Sequence, residues 1–340
     1  MRFAGRQRVQ PTSEFCTTPL PELPSVSDAV NRGAVLASFQ RDDRVPHRAR
    51  RSSRQPTREC EMREVALLGT GLLGTGFAEG FLARGGVNLR VWNRTRSKAL
   101  PLADKGATVA DDPEEAVHRA TMVHLILLDD ATVDSTIARM RDGLSHDAII
   151  VDHTTNLPAL VAARAERLEH EGLRYLHAPV FMSPAAARAA QGIMMVAGPP
   201  GRFEQVRSAL TPMTGDLWYV GERPDLAASY KLFGNAMILS MAGAMADIFH
   251  LADALDVPRA EAWSLFSRFK PENIYPVRAK KILAEDYSAS FELEVARKDA
   301  RLMLESAANQ PMPVIAAIAA RMDALIAEGL GAQDMAILAK

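Results

Sequence analysis

Cysteine is nearly missing from this chain: there are two in 340 residues, Cys16 and Cys60, both within the first sixty. The remainder has no thiol for a disulfide or a zinc site, which fits a reducing compartment and a cytoplasmic protein. The eight histidines are scattered, with no His-x-x-x-His and no neighbouring cysteine, so no metal site is expected. No uninterrupted apolar run reaches membrane-spanning length, and no membrane partner is expected. Repeats of solenoid length are absent. A basic face is lacking too. Residues 1–60 carry eleven Arg and six acidic residues without any Lys, so the rest of a chain of net charge −1 sums to about −6. That excludes a strongly basic nucleic-acid surface on the folded part.

The first sixty residues lack sustained periodicity and are rich in Arg, Pro, Ser and Thr, ending in His47-Arg48-Ala49-Arg50-Arg51-Ser52-Ser53-Arg54. Residues 1–61 therefore read as a disordered extension or as the product of a start codon placed too far upstream, with Met62 as the natural beginning. Six acids are too many for an organelle transit peptide.

From Met62 onward apolar strand candidates at 64–69, 88–92, 107–109, 122–128, 148–152, 174–178, 193–197 and 217–220 alternate with helical patterns at 73–84, 96–105, 113–119, 131–141, 157–171, 184–190 and 202–211. Such alternation predicts right-handed βαβ units and a mostly parallel, doubly wound sheet of Rossmann type over 62–223. After Gly221-Glu222-Arg223-Pro224 the chain turns Ala-, Leu- and Met-rich with helical spacing, predicting an all-α C-terminal domain over 224–340 that opens on one long helix from about 225 to 254.

Gly69-Thr70-Gly71-Leu72-Leu73-Gly74 stands where the first strand breaks and a helix begins, the context that lifts G-x-G-x-x-G above chance. Gly69 makes the turn, Gly71 lets backbone approach a pyrophosphate, and Gly74 allows helix to pack on strand, with the N–H groups around Leu72 and Leu73 facing the anion. Where a carboxylate for a free ribose 2′-hydroxyl is expected, the second strand ends in Asn93-Arg94-Thr95, with Arg96 and Lys98 behind. A guanidinium pairs with a 2′-phosphate, so the pattern points to NADP(H). Without that partner Arg94 would be a solvated loop arginine.

In the long helix, Lys231 and Asn235 are four apart and share a face. Hydride transfer to a carbonyl needs a proton for the developing alkoxide, and a lysine desolvated beside a nicotinamide can give it. On spacing alone, a lysine near a helix start is more often a solvated charge.

These motifs, in this order, resemble those of the β-hydroxyacid dehydrogenase family, which includes 3-hydroxyisobutyrate dehydrogenase, glyoxylate or succinic semialdehyde reductases and, more distantly, 6-phosphogluconate dehydrogenase. The resemblance covers Met62 to Lys340. It implies that Lys231 is the catalytic lysine and Asn235 its companion. It also implies that Val151-Asp152-His153-Thr154-Thr155 borders nicotinamide and substrate, with Thr155 at the cofactor. Phe291 and Lys298-Asp299 match a late segment that closes over cofactor and substrate. The expected activity is hydride transfer between NADPH and a small carbonyl or hydroxy compound, in a homodimer or homotetramer built through the helical domain.

The substrate loop departs from the family. Where members read Ser-Gly-Gly, offering hydroxyl and backbone donors to a carboxylate, this chain has Phe181-Met182-Ser183 followed by Pro184, which has no N–H. A substrate bulkier or less anionic than a simple 3-hydroxy acid is expected, with Ser183 or Lys298 left to meet any carboxylate. Two other readings are open. Imine reductases share the architecture but usually carry another residue at the position of Lys231, and silent cofactor-binding relatives typically lose the lysine. Tyr230 reads as packing, Asp129-Asp130 as a helix cap and its neighbour, and Met237, Met241 and Met245 as core or subunit interface.

Overall fold

The computed structural model describes residues 62–340; the expectations for residues 1–61, including Cys16 and Cys60, lie outside the described residues. The described residues start with β1 (Arg63–Leu68), whose last four residues are buried as an interior parallel strand requires. It then runs through α1 (Leu72–Arg84), β2 (Val87–Trp92), β3 (Thr108–Val109), α2 (Pro113–Val117), β4 (Met122–Leu125), α3 (Asp130–Met140), β5 (Ile149–Asp152), α4 (Pro158–His170) and β6 (Arg174–His177). The sheet continues with β7 (Val180–Phe181), α5 (Pro184–Arg188), β8 (Ile193–Ala197), α6 (Pro200–Leu210) and β9 (Asp216–Gly221).

The strands lie in the order β3-β2-β1-β4-β5-β6-β8-β7, with β9 beside β8. The first six are parallel and order as 3-2-1-4-5-6, the arrangement of a doubly wound dinucleotide fold whose crevice opens where order reverses, between β1 and β4. β8 turns antiparallel against β6 and β7, and β9 is parallel to β8, so the sheet is mixed at that end.

Three local expectations need correction. The segment 96–105 forms two 3-10 turns, Arg96–Lys98 and Leu100–Lys105, instead of an α-helix, because Pro101 has no N–H to continue an α ladder. The fourth strand stops at Leu125, since Ile126 to Asp129 leave the ladder to wall the crevice. β7 is a two-residue strand that no alternation announces.

Beyond Gly221 everything is helical: α7 (Leu226–Ala254), α8 (Arg259–Ser264), α9 (Tyr275–Leu283), α10 (Leu293–Ala307) and α11 (Pro313–Ala327). With 29 residues α7 extends about 43 Å. Its first turns are buried at Ala227 and Ala228 against the sheet. Its far end holds buried Asp247, which accepts the N–H groups of Val314 and Ile315 at 3.0 and 2.8 Å and so caps α11. There α10 and α11 build a separate core around Leu293, Ala300, Met322 and Leu325.

Between those ends α7 is bare, with Phe233 66%, Ile238 53% and Leu239 72% exposed. It is also long and apolar enough to cross a membrane by length and composition, with mean hydropathy 1.5 over its best window. This corrects the expectation from apolar runs: Lys231, Asn235 and Asp247 interrupt the run without lowering the average enough.

Candidate active site

At the crevice, the β1–α1 turn is set by backbone crowding. Gly69 has φ +104°, and a Cβ there would lie 2.1 Å from the Ile126 carbonyl oxygen. A Cβ on Gly74 would lie 1.9 Å from the Gly69 carbonyl oxygen. Gly71 is different, because a Cβ there meets nothing within 4 Å. Its smallness serves no contact inside the chain and leaves open space at the α1 N-terminus, where no side chain caps the helix. Asn93 secures the turn from β2: its Oδ1 accepts the Thr70 N–H at 3.0 Å and its Nδ2 donates to the Thr95 carbonyl.

A cleft of about 670 Å³ opens over this turn, within the range that holds a dinucleotide-sized ligand. The predicted residues Gly69, Gly71, Leu72, Leu73, Gly74, Asn93, Arg94, Thr95, Lys98 and Thr155 all line it. Arg94 and Lys98 stand exposed at the end of β2. Arg96 is drawn off to Asp111 at 2.8 Å.

One cation escaped the sequence reading. Arg139 enters the same cleft from α3, 5.2 Å from the Trp92 ring centroid. The signal was there in helical spacing: Thr132, Ser135, Thr136 and Arg139 form one stripe of α3, and all line the cleft. Open space at Gly71, an uncapped helix N-terminus and a cluster of cations at the β2 end together fit a dinucleotide with a pyrophosphate near α1.

The opposite wall is pinned by buried polar groups. Asp152 accepts the Thr154 N–H, the Asn156 amide and the Tyr175 hydroxyl, and Thr154 Oγ1 accepts the Leu127 N–H at 3.0 Å. Arg164, with a fully buried side chain, donates to Asp130 and Asp134 at 2.8 Å and lies 3.8 Å from Asp152. The β4 and β5 loops are thereby tied together. Asp129 caps α3 through Thr132, as its position suggested.

His153 also lines the cleft, yet both its nitrogens are engaged: Nδ1 with the Ala178 carbonyl at 2.6 Å and Nε2 with His124 Nδ1 at 2.9 Å. Because the carbonyl can only accept, His153 carries its proton on Nδ1 and His124 donates to Nε2. Burial pushes the His153 pKa down to about 4. It is a neutral structural histidine.

Lys231 and Asn235 are half-buried on one face of α7 but do not line this cleft. Lys231 Nζ donates to the Val180 carbonyl at 2.8 Å and sits 4.1 Å from the Phe181 ring centroid. Burial lowers its pKa below the ordinary 10.5. Phe181 lies against Gly234, where a Cβ would come 2.2 Å from the ring. Ser183 Oγ accepts the Ala186 N–H and caps α5. Phe291 packs beside the core of α10 and α11, and Lys298 pairs with Asp299 at 2.7 Å, so within one chain this late segment is not brought to the cleft.

The profile of the NAD binding domain of 6-phosphogluconate dehydrogenase matches residues 64–221, which takes in the whole sheet after its first residue. That half of the chain is thus similar to the NAD binding domain of 6-phosphogluconate dehydrogenase, in line with the resemblance that the motifs carry. The chain is similar to YfjR, an uncharacterised oxidoreductase of Bacillus subtilis, with 28% identity over 82% of this chain and 99% of that one. It is also similar to 3-sulfolactaldehyde reductase of Escherichia coli, at 27% identity over 80% and 93%. An imine reductase from Myxococcus stipitatus, solved in complex with NADP+, shares the fold with a TM-score of 0.72 and 22% identity, covering 81% of this chain and 98% of that one. The chain accordingly carries an NAD(P)-binding Rossmann sheet followed by a helical region.

The glycines make a clean test. Gly71→Ala is expected to keep the thermal stability of the parent while losing most affinity for a reduced dinucleotide, NADH or NADPH, in a fluorescence titration, whereas Gly74→Ala is expected to lower stability itself. Unchanged affinity in Gly71→Ala would remove the pyrophosphate from that spot.

Proposed function

We propose that the protein is an NADPH-dependent reductase of a small carbonyl compound, with Lys231 as the proton donor. The observation that carries the cofactor choice is that Arg94, Lys98 and Arg139 line one cleft at the end of β2, which closes on Asn93-Arg94-Thr95 instead of the Asp or Glu that would meet a free ribose hydroxyl. A 2′-phosphate there would meet a bidentate guanidinium and two further cations. The NADP+ held by the Myxococcus imine reductase is in keeping with this.

When bound, the nicotinamide supplies the hydride. Lys231 holds a proton on Nζ, oriented by the Val180 carbonyl on one side and the Phe181 ring on another, and burial makes that proton easier to give than a solvated lysine's. Asn235, one turn further on, presents a neutral amide that orients the same substrate oxygen. Lysine at this position favours a carbonyl substrate over the imine reductase reading.

The bare middle of α7 is covered, in this reading, by a second copy of the chain. Exposed Phe233, Met237, Ile238, Leu239 and Met241 are an unusual surface for a lone subunit. The segment with Phe291 and Lys298 belongs to the core of α10 and α11, and α11 is joined to α7 at Asp247, sixteen residues and about 24 Å along the axis from Lys231. A partner's helical region, packed along α7, would bring such a segment over the cleft. A copy of the chain is preferred to a bilayer because α7 carries Lys231 and buried Asp247.

Four outcomes follow from this reading. Arg94→Asp is expected to weaken NADPH binding far more than NADH binding in parallel titrations, and equal losses would sink the 2′-phosphate assignment. Lys231→Met is expected to bind NADPH normally while turnover falls roughly 10²- to 10⁴-fold. Reduction by the parent should fade with rising pH as Lys231 loses its proton, with a midpoint below the 10.5 of a solvated lysine. Turnover that survives in Lys231→Met would take the residue out of the mechanism. In light scattering, the parent should run as a dimer or larger and Ile238→Arg/Leu239→Arg as a monomer; a monomeric parent would refute the shared interface.

A further inference from the structure

Phe181 stands where family members carry the serine that meets a substrate carboxylate, and the structure shows how its ring is kept there. The ring edge rests on Gly234, in a space that any side chain at that position would fill, since a Cβ would lie 2.2, 2.8 and 3.0 Å from three ring atoms. Its face carries the Lys231 ammonium at 4.1 Å. The ring also packs on the small core of Met195, Ala197 and Ala227. It is thus clamped from three sides between the sheet edge and α7.

The groups that could receive a carboxylate each carry another contact. Lys231 Nζ donates to the Val180 carbonyl. Ser183 turns its oxygen to the Ala186 N–H as the cap of α5, and Pro184 has no N–H. Lys298 is paired with Asp299 on α10 and does not reach the cleft within the chain. The remaining N–H groups of Lys231 serve the reacting oxygen in the proposed reaction, and the Phe181 ring, standing in place of a hydroxyl, donates nothing. A carboxylate stripped of water beside a benzene ring would be left under-paired, whereas an apolar group would gain contact with the ring.

We propose that Phe181, locked by Gly234 against Lys231, is the specificity-determining residue of the site, and that it selects an uncharged carbonyl compound with an apolar or aromatic substituent over a carboxylate-bearing one. The inference rests on the reductase reading for its reaction but not for its binding preference. Gly234 is the positioning partner: it touches no substrate and acts by admitting the ring.

The test has a turnover arm and a binding arm, both on the full chain loaded with NADPH. In the first, NADPH oxidation is compared for benzaldehyde, glyoxylate and succinic semialdehyde. Benzaldehyde is expected to exceed both acids in kcat/KM by about tenfold or more. In the second, calorimetry compares benzyl alcohol with 3-hydroxypropanoate, and the aromatic alcohol is expected to bind more tightly. Phe181→Ser should reverse both rankings, and Gly234→Ala, which displaces the ring without removing it, should shrink the benzaldehyde preference. If Phe181→Ser fails to fold, Phe181→Leu keeps the apolar filling but not the flat ring and should lower the benzaldehyde advantage several-fold. A parent that prefers the acids in either arm overturns the proposal, as does a Phe181→Ser protein that folds with its ranking unchanged. Absence of turnover with every carbonyl, alongside preferential binding of benzyl alcohol, would count against the reductase reading while supporting the assignment of Phe181.

Discussion

Backbone meets backbone where β1 turns into α1, and the rest of the nucleotide cleft depends on that contact. Gly74 packs on the Gly69 carbonyl and Gly69 on the Ile126 carbonyl, at separations no side chain survives. This crowding draws α1 onto the strands and brings the β4 loop alongside the turn. It also leaves the first N–H groups of α1 uncapped and pointing at open space. Asn93 then closes the arrangement from β2, fixing the loop that carries Arg94. A surface of main-chain donors on one side and cations on the other follows from two missing Cβ atoms and one amide.

The far wall uses the opposite strategy, buried charge. Arg164 bridges Asp130, Asp134 and the neighbourhood of Asp152, and Asp152 in turn gathers Thr154, Asn156 and Tyr175. Removing any one member would leave another desolvated without its partner, so the network holds a single geometry for the two loops. The stacked His124 and His153 pair fills the space behind with neutral rings. The histidine that a sequence places in the cleft is therefore a pillar of its wall.

The long helix α7 divides labour along its length. Its start carries Lys231 and Gly234 and clamps Phe181, its middle is apolar and exposed, and its end is locked to α11 through Asp247. Because the helix is stiff, anything docked on its middle is placed relative to Lys231. One element thus links the chemistry proposed for the site to the assembly proposed for the chain.

Much of this was legible along the chain. The glycine spacing, the Asn93-Arg94-Thr95 segment and the switch from alternating elements to helices are local signals, set by steric demands within a few residues, and they sufficed for the Rossmann sheet, its nucleotide-binding turn and the helical region that follows. Local signals failed where the deciding partner was distant or the pattern too short. Pro101 turned an expected helix into 3-10 turns, and the two residues of β7 carried no periodicity. Arg139 reached the cleft by the pitch of α3, and the apolar average of α7, though not its length, was hidden by three polar residues. Sequence alone determined which residues have the chemistry to bind a dinucleotide and hold a proton. Tertiary structure decided which of them are free to use it: Ser183 caps a helix, Lys298 pairs with its neighbour, His153 is sealed, and Lys231 stands against Phe181. A side chain's chemistry is covalent and travels with the residue, but its availability depends on which partners packing brings within a few ångströms.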